Sequence, residues 1–206
     1  MVYHQKNKIT TPALALCLLT VLVSCSPTRK FTANYYRDND VLLQDIRHQY
    51  KKLYEEKPFA LEFRDKDFKQ IGFEIMTDSI KYIYSFNTDQ SNLSDTLKQY
   101  GFNEKAFHQL ISSMRVAQCT WISNVDYYEL RQKKQFVFMS IRHSDLESRF
   151  KAEKYFTLVF FDRPQLFDDR RRLLDRTDKK NLRSINGEIF YRINDRVCYA
   201  FTGHFR

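Results

Sequence analysis

Glycine is scarce in this 206-residue chain. Its four glycines, Gly72, Gly101, Gly187 and Gly203, are too far apart to form a G-x-G-x-x-G or G-x-x-x-x-G-K loop, which excludes dinucleotide and P-loop phosphate sites of the usual kind. The four cysteines, Cys17, Cys25, Cys119 and Cys198, include no C-x-x-C. Beyond residue 25 the histidines, His48, His108, His143 and His204, fall singly along the chain, with no H-E-x-x-H and no ligand spacing. No metal and no cofactor is therefore expected. Acidic residues are in deficit, 25 against 34 Lys and Arg, for a formal charge of +9. With 43% hydrophobic and 29% charged residues, the composition suits one ordinary globular core and excludes a disordered or fibrous chain.

Long hydrophobic runs are limited to one. Lys6 and Lys8 precede an apolar stretch from Ala13 to Val23, interrupted only by Thr20, that ends in Leu22-Val23-Ser24-Cys25. This has the layout of a signal peptide and falls short of the roughly 20 residues that span a bilayer. The four residues Leu22-Val23-Ser24-Cys25 resemble the lipobox of bacterial lipoproteins. The resemblance implies removal of residues 1–24, lipidation of Cys25 and a membrane-anchored mature protein. Three acyl chains exceed the two hydrophobic signals that stable anchoring needs. Ser26 is not the Asp that holds lipoproteins at the inner membrane in enteric bacteria, and no acidic run of the surface-export type follows. The resemblance thus implies the periplasmic face of the outer membrane. Loss of Lys6 and Lys8 with the signal leaves a charge of +7, so the basic balance belongs to the mature chain. An exported protein does not ordinarily meet nucleic acid. Lipid head groups, lipopolysaccharide phosphates and acidic protein surfaces are the available partners.

Residues 25–37 carry one proline and no apolar periodicity, and read as a lipidated tether with a typical reach of about 20 Å. From Asp38, an amphipathic helix is predicted on Leu42, Leu43, Ile46, Tyr50, Leu53 and Tyr54, stopping before Pro58. Phe59 to Arg64 alternates as a strand. Ile71 to Phe86 reads as a hairpin with Asp78-Ser79 at its tip, pairing Ile75 with Tyr82, Phe73 with Tyr84 and Ile71 with Phe86. Two short helices follow, one from Asn92 to Gln99 closed by Gly101, the other capped by Asn103 and carrying Phe107, Leu110, Ile111 and Met114. Cys119–Val125, Gln135–His143 and Tyr155–Phe161 are strand-like, and the last, nearly all apolar, suits a strand covered on both faces. A helix is predicted from Arg163-Pro164 with Leu166, Phe167, Leu173 and Leu174 buried. A final hairpin, Glu188 to Thr202, has a three-residue loop, Asn194-Asp195-Arg196, that pairs Ile193 with Val197, Tyr191 with Tyr199 and Ile189 with Phe201. This order defines an α+β class, a mostly antiparallel sheet with helices packed on it, in one domain over residues 38–206.

Several residues carry candidate chemistry. Cys119 and Cys198 lie in predicted strands of an exported domain, where either a disulfide, adding about 4 kcal/mol over a loop of about 80 residues, or two buried thiols are expected. Arg170, Arg171, Arg172, Arg176, Lys179, Lys180 and Arg183 form the most basic stretch and the natural place for an anionic ligand. The i,i+4 pairs Asp168–Arg172, Arg171–Asp175 and Asp175–Lys179 offer the alternative of a solvated helix face. Glu62, Asp65, Asp67, Glu74 and Asp78 form the densest carboxylate group, and a glycoside hydrolase needs two such acids across a cleft. Tyr35-Tyr36, Trp121 and Tyr127-Tyr128 supply material for an aromatic platform. Asp78-Ser79-Ile80 and Asp95-Thr96-Leu97 resemble the D-[ST]-apolar acceptor of general O-glycosylation in lipoprotein-rich bacteria, which implies Ser79 and Thr96 as candidates. His143-Ser144-Asp145 has the residue types of a triad, but neighbours on a strand end point apart.

With no catalytic constellation in view, the sequence favours a lipid-anchored, non-catalytic accessory or interaction subunit of an envelope assembly, with an envelope protein as partner. The alternatives are a binding module for an anionic or sugar-bearing envelope polymer, and a hydrolase with a dispersed carboxylate pair.

Overall fold

The computed structural model describes residues 27–77, 81–129, 131–142, 154–176, 178 and 180–203. Cys25, Ser79, Lys179, His143, His204 and the Asp78-Ser79 hairpin tip lie outside them.

Helix α1 runs from Pro27 to Glu56, about 45 Å at ~1.5 Å per residue. Proline suits the first helical position, where no N–H is needed. The expected tether is thus corrected, since the helix begins about ten residues before Asp38. The reason is visible in the packing: Tyr36 continues the buried series Leu43, Ile46, Tyr50 and Leu53 one heptad earlier, and the Tyr35 hydroxyl donates to the Ala117 carbonyl at 2.6 Å. Pro58 disfavours helical geometry at the residue before it and ends the element.

Eight strands form one antiparallel sheet: β1 (Phe59–Phe63), β2 (Gln70–Met76), β3 (Lys81–Asn87), β4 (Cys119–Glu129), β5 (Gln132–Ile141), β6 (Tyr155–Phe161), β9 (Tyr191–Arg192) and β10 (Val197–Thr202). Two short strands, β7 (Ser184–Ile185) and β8 (Glu188–Ile189), pair separately. The large sheet has the order β3-β2-β1-β4-β5-β6-β10-β9. Ile75–Tyr82, Phe73–Tyr84 and Ile71–Phe86 pair as expected from alternation. Tyr191 pairs with Tyr199, and the Ile193 amide donates to the Val197 carbonyl at 2.9 Å, as the three-residue loop requires. Ile189 departs from its expected place. It pairs with Ser184 across an Asn186-Gly187 turn whose two positive φ values, 51° and 80°, suit a primed hairpin turn, and Phe201 pairs with Phe156 instead. β4 and β5 also extend beyond their apolar parts, through Tyr127, Tyr128 and Lys133.

Helices α2 (Ser91–Tyr100) and α3 (Glu104–Val116) join α1 on one face of the sheet. Gly101, at φ 75°, closes α2, and the Asn103 side chain accepts from the Ala106 amide at 3.0 Å to cap α3. Buried apolar residues of α1, α2 and α3 meet Leu61, Phe73, Ile122, Met139, Phe156 and Leu158.

The second face is covered by an irregular arm over residues 163–190, in place of the helix expected at Arg163-Pro164. Leu173, Ile185 and Phe190 seal Trp121, Phe136, Phe138, Val159, Phe161 and Cys198. Isolated bridges, Phe167 with Leu173 and Leu174 with Leu182, fold the arm back on itself. A narrow helical stripe would leave much of this apolar face wet, whereas an extended arm spreads over it. Tertiary burial here outweighs local helix propensity.

Candidate functional site

Asp168 organises the most basic part of the chain. Its carboxylate accepts from the Arg172 amide at 2.7 Å and from the Arg172 Nε at 2.8 Å, while the Arg171 amide donates to the Asp168 carbonyl at 2.8 Å. The Arg172 amide, burial and the Arg172 guanidinium act on its pKa in that order, and the net effect holds it below the ordinary carboxylate value. The closed turn puts Arg171 at φ 65°, a left-handed conformation that an L side chain rarely adopts. Arg171 Nη2 then donates to the Arg192 carbonyl at 3.0 Å, and the Arg192 amide donates to the Arg171 carbonyl at 2.7 Å. The arm is thereby pinned to β9.

This arrangement brings Arg170 and Arg171 to a cavity of about 330 Å³ whose other walls come from α1, β9 and β10. Arg37 and Arg192 complete a set of four guanidinium groups around it. Tyr36, Tyr191 and Tyr199 supply the aromatic lining. The rings of Tyr191 and Tyr199 lie 5.8 Å apart at 35°, and the Tyr36 hydroxyl accepts from the Gln44 amide at 3.1 Å. Arg37 meets Asp38 at 3.2 Å, and Arg192 pairs with Asp195. Among the described residues, no ion pair ties the Arg170 or Arg171 guanidinium to a carboxylate. The site is a concave, positively charged pocket with aromatic walls, a form that recognises carboxylates and phosphates through guanidinium forks.

The rest of the basic stretch goes elsewhere. Arg172 is held by Asp168, Arg176 Nε meets Glu129 at 3.0 Å, and Arg183 stacks 4.2 Å from the Tyr127 ring centroid. Lys180 lies exposed in the turn after Asp178, its amide donating to that carboxylate. The pair expected from helical spacing at Arg171–Asp175 loses its premise with the helix, Asp175–Lys179 involves a residue outside the described ones, and Asp168–Arg172 forms inside the turn.

The disulfide between Cys119 and Cys198 is corrected to two buried free thiols. β5 and β6 stand between their strands, a separation of about 14 Å at ~4.8 Å per strand, and a bridge tolerates only about 7 Å. They also belong to cores on opposite faces. Burial pushes the Cys119 thiol up to about 12 and raises that of Cys198 well above the usual thiol range. Thr96 is buried on α2 and donates to the Asn92 carbonyl at 2.9 Å, which withdraws it from the glycosylation expectation.

Glu62 and Glu74 share one face of β1 and β2 and are both buried, each engaged by its own cation, Arg64 at 2.7 Å and Lys81 at 2.5 Å. Asp65 accepts from the Lys69 and Gln70 amides to close the β1–β2 turn, and Asp67 lies near Lys69. Trp121 packs on Phe138 and Tyr127 on Phe136 and Phe161, leaving Tyr128 exposed. Among the described residues, no three His, Cys, Asp or Glu side chains are grouped to hold a metal ion. No helix of those residues is long and apolar enough to cross a membrane.

No protein-family model, curated protein or solved structure matches this chain.

Proposed function

We propose that this protein is a lipid-anchored envelope module that binds an anionic, sugar-bearing ligand at the arginine–tyrosine cavity. One observation carries the reading: Arg170 and Arg171, from a stretch that already stood out in sequence, share a concave site with Arg37, Arg192 and three tyrosines drawn from distant parts of the chain. Cations scattered over a solvated surface have no reason to converge with aromatic rings in one pocket. The lipobox-like Leu22-Val23-Ser24-Cys25 supports membrane anchorage, with the periplasmic face of the outer membrane as the location. The test is retention of the protein on dextran sulfate against neutral dextran. Retention on the sulfated polymer that falls about tenfold in the Arg170→Ala/Arg171→Ala variant, with Arg196→Ala unchanged, supports the reading. Equal retention of all three proteins rejects it.

The accessory-subunit reading finds support at the other end of the sheet. Strand β3 ends the described sheet and leaves Ile83 58% and Tyr82 38% exposed. An envelope protein segment adding a strand there would bury both. A photo-crosslinker at position 83 that captures one stoichiometric envelope protein supports this reading, and capture of none rejects it.

A further inference from the structure

We infer that the group seated in the arginine–tyrosine cavity is a phosphomonoester carried on a single sugar or similar ring, a terminal head group rather than a length of polymer. The inference rests on the anion-binding reading above and narrows it by charge, shape and place.

Charge comes first. Four guanidinium groups line the cavity, and Asp38 and Asp195 balance two of them, Arg37 and Arg192. Arg170 and Arg171 leave a surplus of two positive charges. A phosphomonoester carries about −1.5 to −2 near neutral pH, whereas a carboxylate or a phosphodiester carries one charge. It also presents three acceptor oxygens to donors arranged as forks, and the site uses arginine throughout, with no lysine among its lining residues.

Shape follows. About 330 Å³ lies at the small end of ligand cavities, roughly 300–1,000 Å³, and holds one ring with its phosphate. The Tyr191 and Tyr199 rings form a wall against which the apolar face of a sugar ring can rest.

Place is set by α1. Arg37 stands ten residues from Pro27 along a continuous helix, about 15 Å at ~1.5 Å per residue. A lipid on Cys25 thus keeps the cavity within a short distance of the bilayer surface. The same chemistry is available from two sources, a soluble sugar phosphate and the phosphomonoester head group of a membrane lipid.

The experiment uses the full-length protein in neutral detergent and equilibrium binding of labelled glucose 1-phosphate, glucuronate and inorganic phosphate. Tighter binding of glucose 1-phosphate than of either competitor, by about tenfold, is expected. Arg171→Ala should remove the preference over glucuronate, and Tyr191→Ala the preference over inorganic phosphate. A second arm compares neutral vesicles containing phosphatidylinositol 4-phosphate, whose ring carries a monoester, with vesicles containing phosphatidylinositol, whose ring carries only the diester. Preference for phosphatidylinositol 4-phosphate supports the inference with a membrane source, and selective binding of glucose 1-phosphate supports it with a soluble one. Equal or tighter binding of glucuronate, or selectivity in neither arm, overturns the inference. If dextran sulfate retention still depends on Arg170 and Arg171, the anion-binding reading stands without it. Loss of that dependence as well rejects both.

Discussion

Arg171 and Arg192, two like-charged residues 21 positions apart, hold each other through two hydrogen bonds to main-chain carbonyls. The Arg171 guanidinium donates to the Arg192 carbonyl at 3.0 Å, and the Arg192 amide donates to the Arg171 carbonyl at 2.7 Å. Their side chains carry like charge, so the pairing is sustained by these hydrogen bonds to main-chain carbonyls and by Asp168, which closes the turn that carries Arg171. The cost of gathering cations at one point is met by the fold, and under the proposed reading a bound anion would offset it.

Asp168 is therefore a positioning residue. Asp168→Asn keeps the acceptor for the Arg172 amide and removes the charge that holds the Arg172 guanidinium. Dextran sulfate retention should fall several-fold although Arg170 and Arg171 are intact. The folded-state pKa of Asp168 is depressed, so its contribution to stability is present above the ordinary carboxylate value and lost as pH falls through the depressed one. Thermal melts of wild type and Asp168→Asn should differ at neutral pH and converge in acid. A difference that stays constant across that range contradicts the assignment.

Gly72 is required by its neighbours across the strand. A Cβ there would come 2.6 Å from Glu62 Oε1 and 2.7 Å from Arg64 Nε, and Glu62 is itself buried. Gly72→Ala should destabilise by about 1–3 kcal/mol in urea melts. Gly203 has nothing within 4 Å of an added Cβ, and Gly203→Ala should change stability by less than about 0.5 kcal/mol. Equal effects at the two sites would contradict the close approach.

Cys119 and Cys198 should be inert to thiol reagents in the folded protein, both because they are buried and because burial disfavours the reactive thiolate. After denaturation without reductant, both should alkylate fully. Recovery of a Cys119–Cys198 linked peptide would contradict the sheet order.

Cys25→Ala should release the protein from membranes or leave it as an unprocessed precursor. Unchanged labelling by a radioactive fatty acid would contradict the anchor.

Much of the sheet was legible because alternation fixes both face and register. A one-residue slip at Phe73 or Tyr84 would turn an aromatic ring to the wrong side, so the β2–β3 pairing had one solution. The arm over residues 163–190 was not legible, since its role is to cover Phe136, Phe138 and Phe161, and the helical spacing of Leu166, Phe167, Leu173 and Leu174 points to a helix that this role overrides. Sequence located half of the cavity's cations, Arg170 and Arg171. It missed Arg37 because the chain before Asp38 read as a tether, although Tyr36, seven residues before Leu43, carried the helical signal. Arg192 was hidden as an ordinary outward residue of the last hairpin, because the fold that brings the arm to β9 leaves no local mark.

Arginine footprinting with phenylglyoxal, on the anchored protein in its native envelope and after extraction into neutral detergent, tests the central claim most directly. Arg170 and Arg171 are expected to be protected in the envelope and modified after extraction, with the exposed Arg196 reacting alike in both. Equal modification of Arg170 and Arg171 in the two states would contradict an anion held in this cavity.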